Sequence, residues 1–329
     1  MKAAVRTKYG SPDILKIKEL EKPAPNDNEI LVRVYATTVN RTDCSILLGK
    51  PFIMRFFTGL FKPNSLVTGT DFAGKIESVG KNVTAFKIGD RVWGFNDMGL
   101  ESHAQYMKIS ADKALTTIPT NITYEQAAAS AEGAHYAYNV IKKVKLSNGQ
   151  KVLVNGATGA IGSAAVQILK YFEANVTAVC NTINIDLVKS LGADTIIDYT
   201  NEDFTKMGQQ YYFVFDAVGK SSFSKCKPIL LPGGIYISTE LGPMAQNVFL
   251  PLATAITAKL PGRQAGKKVI FPFPSDCMGT LLFIKNLIEK EKFKPLIDRI
   301  YPLEKIDEAY SYAATGKKTG NVVINLEDR

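Results

Sequence analysis

Three glycines set between a strand pattern and a helix pattern limit this chain more than any other feature. Val152, Leu153 and Val154 form a short apolar run with β character. Gly156-Ala157-Thr158-Gly159-Ala160-Ile161-Gly162 follows, and Ala164, Ala165, Val166, Ile168 and Leu169 then recur at helical spacing. Strand, glycine turn and helix in that order build a phosphate site. Glycine lets the backbone approach a pyrophosphate, and the helix N-terminus offers free N–H groups and a partial positive charge. A dinucleotide is the expected ligand of these seven residues. The spacing is G-x-x-G-x-x-G rather than the commoner G-x-G-x-x-G. Taken alone it also suits an ordinary glycine-rich strand-to-helix connection, so the surroundings decide.

Before the turn, the chain reads as β-rich to about residue 120. Strand candidates cover 3–6, 30–39, 74–79, 91–95 and 104–109, separated by turn material such as Pro23-Ala-Pro-Asn-Asp-Asn28 and Gly89-Asp90. Short strands at that spacing suggest a barrel. A helix is expected to begin near Thr42. Residues 50–66 are irregular but carry Phe52, Phe56, Phe57 and Phe61; a segment this apolar is expected to pack on the barrel or line a pocket. At Thr123-Tyr-Glu-Gln126 a capping box opens a helix. Strands and helices then alternate, with strands at 152–154, 176–179, 195–197, 212–215 and 235–238. That period means right-handed βαβ units and a parallel sheet. Further strands at 269–271 and 321–325 and helices at 278–289 and 303–314 complete the chain.

At 329 residues the chain is long for one core, so two domains are expected. Its 46% hydrophobic and 22% charged content is that of a globular protein. The net charge of +9 comes from scattered lysines rather than a basic block, which fits a solvated surface better than a nucleic-acid site. Arg263, Lys267 and Lys268 form a small basic cluster, read likewise as surface. Cys44, Cys180, Cys226 and Cys277 are too far apart for a structural zinc site or a disulfide framework and fit a reducing compartment. No apolar signal core opens the chain, and the apolar stretch at 248–258 is broken by Pro251 and too short to span a bilayer. A cytoplasmic protein with no membrane attachment is expected.

Val39-Asn-Arg-Thr-Asp43, Gly69-Thr-Asp-Phe-Ala-Gly74, Gly89-Asp-Arg-Val92, the glycine turn, Ile197-Asp-Tyr-Thr200, Phe215-Asp-Ala-Val-Gly219 and Gly320-Asn-Val-Val323 occur in an order that resembles the medium-chain dehydrogenase/reductase superfamily, in its zinc-independent quinone oxidoreductase and enone reductase branch. The resemblance covers essentially the whole chain. It implies an α/β Rossmann domain with a parallel doubly wound sheet, inserted into a GroES-like β-barrel catalytic domain. The expected boundaries are 1–122 plus 290–329 for the catalytic domain and 123–289 for the NADP-binding domain. Zinc-using relatives place a Cys where this chain has Asn40 and a His-Glu pair where it has Thr70-Asp71. Asn, Thr and Asp do not replace a thiolate and an imidazole around Zn²⁺, so no metal is expected.

An NAD site normally shows an acid ending the second strand of the nucleotide fold. Here that strand ends Val179-Cys-Asn-Thr182. Without the carboxylate, NADPH is the expected cofactor, with Asn181, Thr182 and Tyr199 around its 2′-phosphate. Relatives often add a Lys or Arg just after this strand, where the chain has Ile183-Asn184, so the preference over NADH is expected to be moderate. Val218, Gly219 and Ser238 stand at strand ends where open α/β sheets bind ligands. Phe271 and Phe273 match a segment that reaches the nicotinamide in relatives. Asn40, Asp43 and Tyr136 are the expected catalytic residues. Asn40 either orients the nicotinamide or a forming oxyanion, or caps a helix; Asp43 acts there or braces the loop; Tyr136 donates to a substrate oxygen or packs on the cofactor. His135 is read as a structural hydrogen-bonder.

Hydride transfer to a quinone or an α,β-unsaturated carbonyl is the expected reaction, because conjugation spreads the developing negative charge without a Lewis acid. A metal-free alcohol or ketone oxidoreductase and an NADPH-binding protein with a non-catalytic role such as RNA binding are the alternatives. The resemblance implies a homodimer. The substrate would be set by residues 50–66 and 241–268.

Overall fold

The computed structural model describes residues 1–240, 247, 249–251, 266–273 and 275–327. Most of the 241–268 substrate-determining region, with Arg263, lies outside the described residues. In chain order the first elements are β1 (Lys2–Val5), β2 (Lys16–Glu19), β3 (Glu29–Val39), α1 (Arg41–Leu48), α2 (Met54–Thr58), β4 (Asp71–Val79), β5 (Arg91–Phe95), β6 (Tyr106–Ser110), β7 (Leu115–Thr117) and α3 (Tyr124–Ala129). They are followed by α4 (Glu132–Ile141), β8 (Lys151–Asn155), α5 (Ala160–Tyr171), β9 (Asn175–Cys180), α6 (Ile185–Ser190), β10 (Thr195–Asp198), β11 (Tyr211–Asp216), α7 (Phe223–Cys226), β12 (Leu230–Ser238) and β13 (Lys268–Val269). The last are α8 (Cys277–Glu289), β14 (Ile297–Pro302), α9 (Ile306–Ala314) and β15 (Asn321–Asn325).

Two compact units result, Met1–Glu132 with Asp276–Arg329, and Gly133–Ser275. The expected divisions at 122/123 and 289/290 fall elsewhere because α3 and α8 go with the first unit. The Thr123–Gln126 capping box forms, with Thr123 Oγ1 accepting from the Gln126 N–H and Gln126 Oε1 from the Thr123 N–H. The helix it starts lies against β3, β4 and β15. From α8, Lys285 donates to Thr117 Oγ1 at 2.7 Å, and the Ile288 carbonyl accepts from Asn121 at 3.0 Å.

In the first unit one sheet runs β14-β15-β3-β4-β5-β7, with β6 also on β3; only the β14–β15 pairing is parallel. β3 is the hinge of this sheet. β6 pairs with Glu29–Arg33 and β15 with Ala36–Val39, while β4 takes the opposite edge. A strand that changes partner along its length turns a sheet from one layer to the next, which is how a barrel closes. Ile30, Val32, Phe72, Ile76, Val92 and Leu115 fill the interior together with Tyr310, Val322 and Ile324 from the C-terminal segment.

The second unit holds a six-stranded, wholly parallel sheet in the order β10-β9-β8-β11-β12-β13. The order reverses between β8 and β11. Asn155 and Asp216 end these two strands side by side, so the open edge at the switch point is where such sheets bind ligands.

Of the two expectations for residues 50–66, packing on the barrel or lining a pocket, the four phenylalanines do not meet the first. Phe52, Phe56, Phe57 and Phe61 are all at least 60% exposed. The helix inside the segment, α2, has five residues, and Thr58 is its only buried one. Thr58 is held by Tyr9, whose hydroxyl also donates to the Gly59 carbonyl, and Arg55 lies over the Tyr9 ring. The anchor is thus polar, which apolar content alone does not reveal. The polar strand β2 and the short β7 and β14 carry too little alternation to be read in advance. Among the described residues no helix is long and apolar enough to cross a membrane.

Candidate functional site

The glycine turn leaves β8 and opens α5, as its order of patterns requires. Gly156 has φ +80°, and a Cβ there would stand 2.3 Å from Val218 Cγ1. A Cβ on Gly162 would stand 2.0 Å from the Gly156 carbonyl oxygen. Both positions therefore accept only glycine: one for its conformation and its neighbour from the β11 loop, the other for helix-on-turn packing. Gly159 is different. It is the N-cap of α5 with an ordinary φ of −71°, and the nearest atom to a Cβ there is 3.8 Å away. The fold does not need a glycine at 159, whereas a ligand approaching the backbone does. Ala157, Ala160 and Gly162 are buried and Thr158 and Ile161 half-buried. No side chain caps α5, so its first N–H groups remain for an anion.

Asp216 builds the rim beside this turn. It is fully buried and accepts from Asn155 Nδ2 (3.0 Å), the Ser221 N–H (2.9 Å) and the Tyr236 hydroxyl (3.1 Å). These bonds fix the loop carrying Val218 and Gly219 across the ends of β8, β11 and β12. Ser238 is buried at the end of β12, its Oγ accepting from the Glu240 N–H. Phe271 and Phe273 pack edge-on at 4.9 Å, the first half-buried and the second exposed.

At the end of β9, Asn181 Oδ1 accepts from Asn184 Nδ2 at 2.6 Å. Thr182 donates to Asp198 Oδ2 at 2.6 Å. Tyr199 is 58% exposed, and its N–H donates to the Cys180 carbonyl. The structure therefore gathers Asn181, Thr182 and Tyr199 and adds Asp198, which sequence reading passed over although it stands in the quoted Ile197-Asp-Tyr-Thr200. On α4, Tyr136 is half-buried and edge-on to His135 at 5.7 Å. His135 is buried, with Asn139 Nδ2 donating to its carbonyl at 3.0 Å.

The first unit holds Asn40 and Asp43 within a buried polar cluster. Asn40 caps α1, and its N–H donates to Asp43 Oδ2 at 2.8 Å. Asn40 Nδ2 donates inward, to Thr38 Oγ1 and to Asp71 Oδ2 (3.2 Å). Asp71 also accepts from the Thr38 N–H (2.8 Å), the Thr38 hydroxyl (2.5 Å) and Thr37 Oγ1 (3.3 Å). Glu132 accepts from Thr42 at 2.5 Å. Asp43 Oδ1 and Glu132 Oε2 are buried without a hydrogen-bond partner. Burial pushes the Asp71 carboxyl up to about 6 against the hydrogen bonds from Thr38. Burial raises Asp43 and Glu132 well above the usual carboxylate range, reinforced by the Asp71 charge on the first and the Asp43 charge on the second. Below the cluster His103 accepts or donates at Thr68 Oγ1 (2.8 Å) and meets the Thr38 carbonyl at 2.9 Å; burial lowers its pKa to about 4, so it is neutral. Asp71 was legible only as a member of the quoted Gly69-Thr-Asp-Phe-Ala-Gly74, not as part of a charge cluster, and Glu132 stands in none of the quoted motifs.

The chain matches the alcohol dehydrogenase GroES-like domain over residues 26–151 and the zinc-binding dehydrogenase family over residues 191–324. It is 31% identical to 2-methylene-furan-3-one reductase of Solanum lycopersicum, over 99% of this chain and 79% of that protein. It is 30% identical to the chloroplastic NADPH-dependent alkenal/one oxidoreductase of Arabidopsis thaliana, over 98% of this chain and 79% of that protein. In fold it is similar to the quinone oxidoreductase of Coxiella burnetii, with a TM-score of 0.85 at 23% identity over 99% of both chains.

The expectation of a cytoplasmic protein is corrected by these relatives, which are chloroplastic or mitochondrial in several cases. Free cysteines report a reducing environment and not an address, and an apolar signal core tests only for secretion. A barrel unit, a parallel nucleotide-type sheet with the glycine turn at its switch point, and relatives matched along nearly the whole of this chain lead to one assignment: the chain belongs to the medium-chain dehydrogenase/reductase superfamily, in its quinone oxidoreductase and enone reductase branch.

Proposed function

We propose that this protein is an NADPH-dependent reductase that passes hydride to a quinone or to the β-carbon of an α,β-unsaturated carbonyl. The observation that carries the reading is Gly159: a glycine the fold does not require, at the N-terminus of α5 and at the switch point of a parallel sheet. Gly156, Ala157, Thr158, Gly159, Ala160, Ile161 and Gly162 would hold the pyrophosphate. Val218, Gly219 and Ser238 would border the ribose and nicotinamide, with Phe271 and Phe273 beside them. Asn181, Thr182 and Tyr199 would receive the adenosine ribose and its 2′-phosphate, since β9 ends in no acid. The bound cofactor supplies the hydride.

Tyr136 is the residue proposed to touch the substrate oxygen, its phenol being a donor. Asn40 and Asp43 act as positioning residues, because the Asn40 amide donates inward to Asp71 and Asp43 closes the cap of α1. The donor set at Asn40, Thr70 and Asp71 does not suit zinc: the Asp71 oxygens already accept from Thr37, Thr38 and Asn40. Relatives acting on conjugated carbonyl compounds, and a fold neighbour named for quinones, support the substrate class.

NADPH oxidation measured with a quinone, an enone and a simple ketone tests the reading. Turnover with the first two and little with the third is expected; turnover with the ketone alone would move the protein to the alcohol and ketone oxidoreductases. A homodimer is the proposed assembly, checked by light scattering of the purified protein.

A further inference from the structure

We propose that Asp198 limits the preference for NADPH, by placing a fixed negative charge beside the 2′-phosphate and by consuming the hydroxyl donors that would otherwise bind it; the proposal rests on the reading of Asn181, Thr182 and Tyr199 as the adenosine-ribose seat. β9 ends in Cys180 with no acid after it, but β10 runs parallel beside it and sets Asp198 opposite Cys180. The carboxylate that is missing from one strand end is therefore supplied by the next. Its Oδ2 accepts from Thr182 Oγ1 at 2.6 Å and from Asn201 Nδ2 at 2.8 Å. Its Oδ1 accepts from the Thr200 N–H at 2.9 Å and from Thr200 Oγ1 at 2.7 Å.

A hydroxyl has one proton to donate. Thr182 and Thr200 both give theirs to Asp198, and their oxygens lie 2.9 Å apart. Toward a ligand these two hydroxyls present lone pairs. A ribose 2′-hydroxyl is a donor and matches them. A phosphate monoester brings only acceptors and nearly two negative charges, and does not. Hydrogen bonds from Thr182 and Thr200 hold Asp198 below the usual carboxylate range, so it is charged at working pH. Among the described residues no Lys or Arg forms an ion pair with it, and Ile183 beside Thr182 is an aliphatic side chain 87% exposed. The Asn181 amide and the Tyr199 phenol remain as donors, which leaves NADPH binding possible but weakly favoured over NADH.

Fluorescence titration of the wild type and of Asp198→Asn with NADPH and with NADH tests this. Asparagine keeps one carbonyl oxygen, an acceptor for one of the two threonines, and removes the charge. Asp198→Asn is expected to tighten NADPH by about tenfold, as loss of a repulsion between like charges a few ångströms apart predicts, and to leave NADH within roughly twofold. In the wild type, added salt is expected to improve NADPH binding relative to NADH, by screening the same repulsion. An unchanged NADPH-to-NADH ratio in Asp198→Asn, or loss of both nucleotides together, overturns the proposal, as does a wild-type ratio that falls with salt. Absence of binding of either nucleotide by the wild type would instead sink the cofactor reading itself. Binding and turnover with an unmoved ratio would remove only the role of Asp198.

Discussion

In the glycine turn of the second unit the proposed pyrophosphate contacts are main-chain N–H groups around Gly156, Gly159 and Gly162, and no ionised side chain belongs to the turn. In the first unit Asp43, Asp71 and Glu132 take three carboxyl groups out of water, each held by hydroxyls or N–H groups of nearby residues. A backbone site tolerates no change of volume but has no titration. A site of buried carboxyl side chains has a further sensitivity: its energy depends on protons. The two regions should therefore fail under different perturbations.

The largest effect is expected at Gly162. Gly162→Ala puts a methyl group 2.0 Å from the Gly156 carbonyl oxygen, so the turn must open. We expect a loss of about 3 kcal/mol in stability and of more than about a hundredfold in nucleotide affinity, read by chemical denaturation and by titration. Asp71→Ala comes next. It strands the donors of Thr37, Thr38 and Asn40 in a buried site, at a cost of about 3–5 kcal/mol. Nucleotide affinity of the folded protein should be unaffected; a parallel loss would erase the contrast between the regions.

A pH titration of stability separates them further. Asp71 rises from 3.8 to about 6 on folding. A carboxyl raised in the folded state binds its proton more tightly there, so its contribution is complete below pH 4 and is lost as pH rises through 6. The change is about 3 kcal/mol for Asp71, and it should vanish in Asp71→Asn. A wild-type denaturation midpoint that is flat from pH 4 to 7 would refute it. Gly159→Ala should have the smallest effect on stability, within about 0.5 kcal/mol, because its Cβ makes only an ordinary van der Waals contact, 3.8 Å from the Gly156 carbonyl oxygen. A selective loss of nucleotide affinity in that variant would sharpen the comparison, showing one glycine of three to be there for the ligand.

How far each region was legible follows from the same difference. The glycine turn is local: residues within seven positions define it, and spacing translates directly into geometry. The Thr123–Gln126 box and the final strand at 321–325 are legible for the same reason. The carboxyl cluster is not local. Asp71 meets Thr38 because the antiparallel register that sets Ala36 against Ala73 continues outward by two residues, and no sequence window contains that pairing. Asp198 escaped notice likewise. The local signal is an acid ending β9, and here the acid arrives from β10 through a parallel register. The aromatic residues 50–66 are the reverse case: their apolar content points to packing on the barrel or to a pocket wall, whereas Tyr9 and Arg55 supply a polar anchorage that apolar content does not reveal.

β15 lies between β14 and β3, with Val322–Asn325 paired to Ala36–Val39. The barrel sheet thus joins residues near the beginning of the chain to residues near its end, while the parallel sheet uses one uninterrupted segment, Gly133–Ser275. On the ribosome this reverses the usual order of maturation. The unit whose synthesis starts first must wait, with the β3 edge unpaired at Ala36–Val39, until the other has emerged whole. Vectorial synthesis therefore delivers the whole Gly133–Ser275 segment before the strand that pairs with Ala36–Val39.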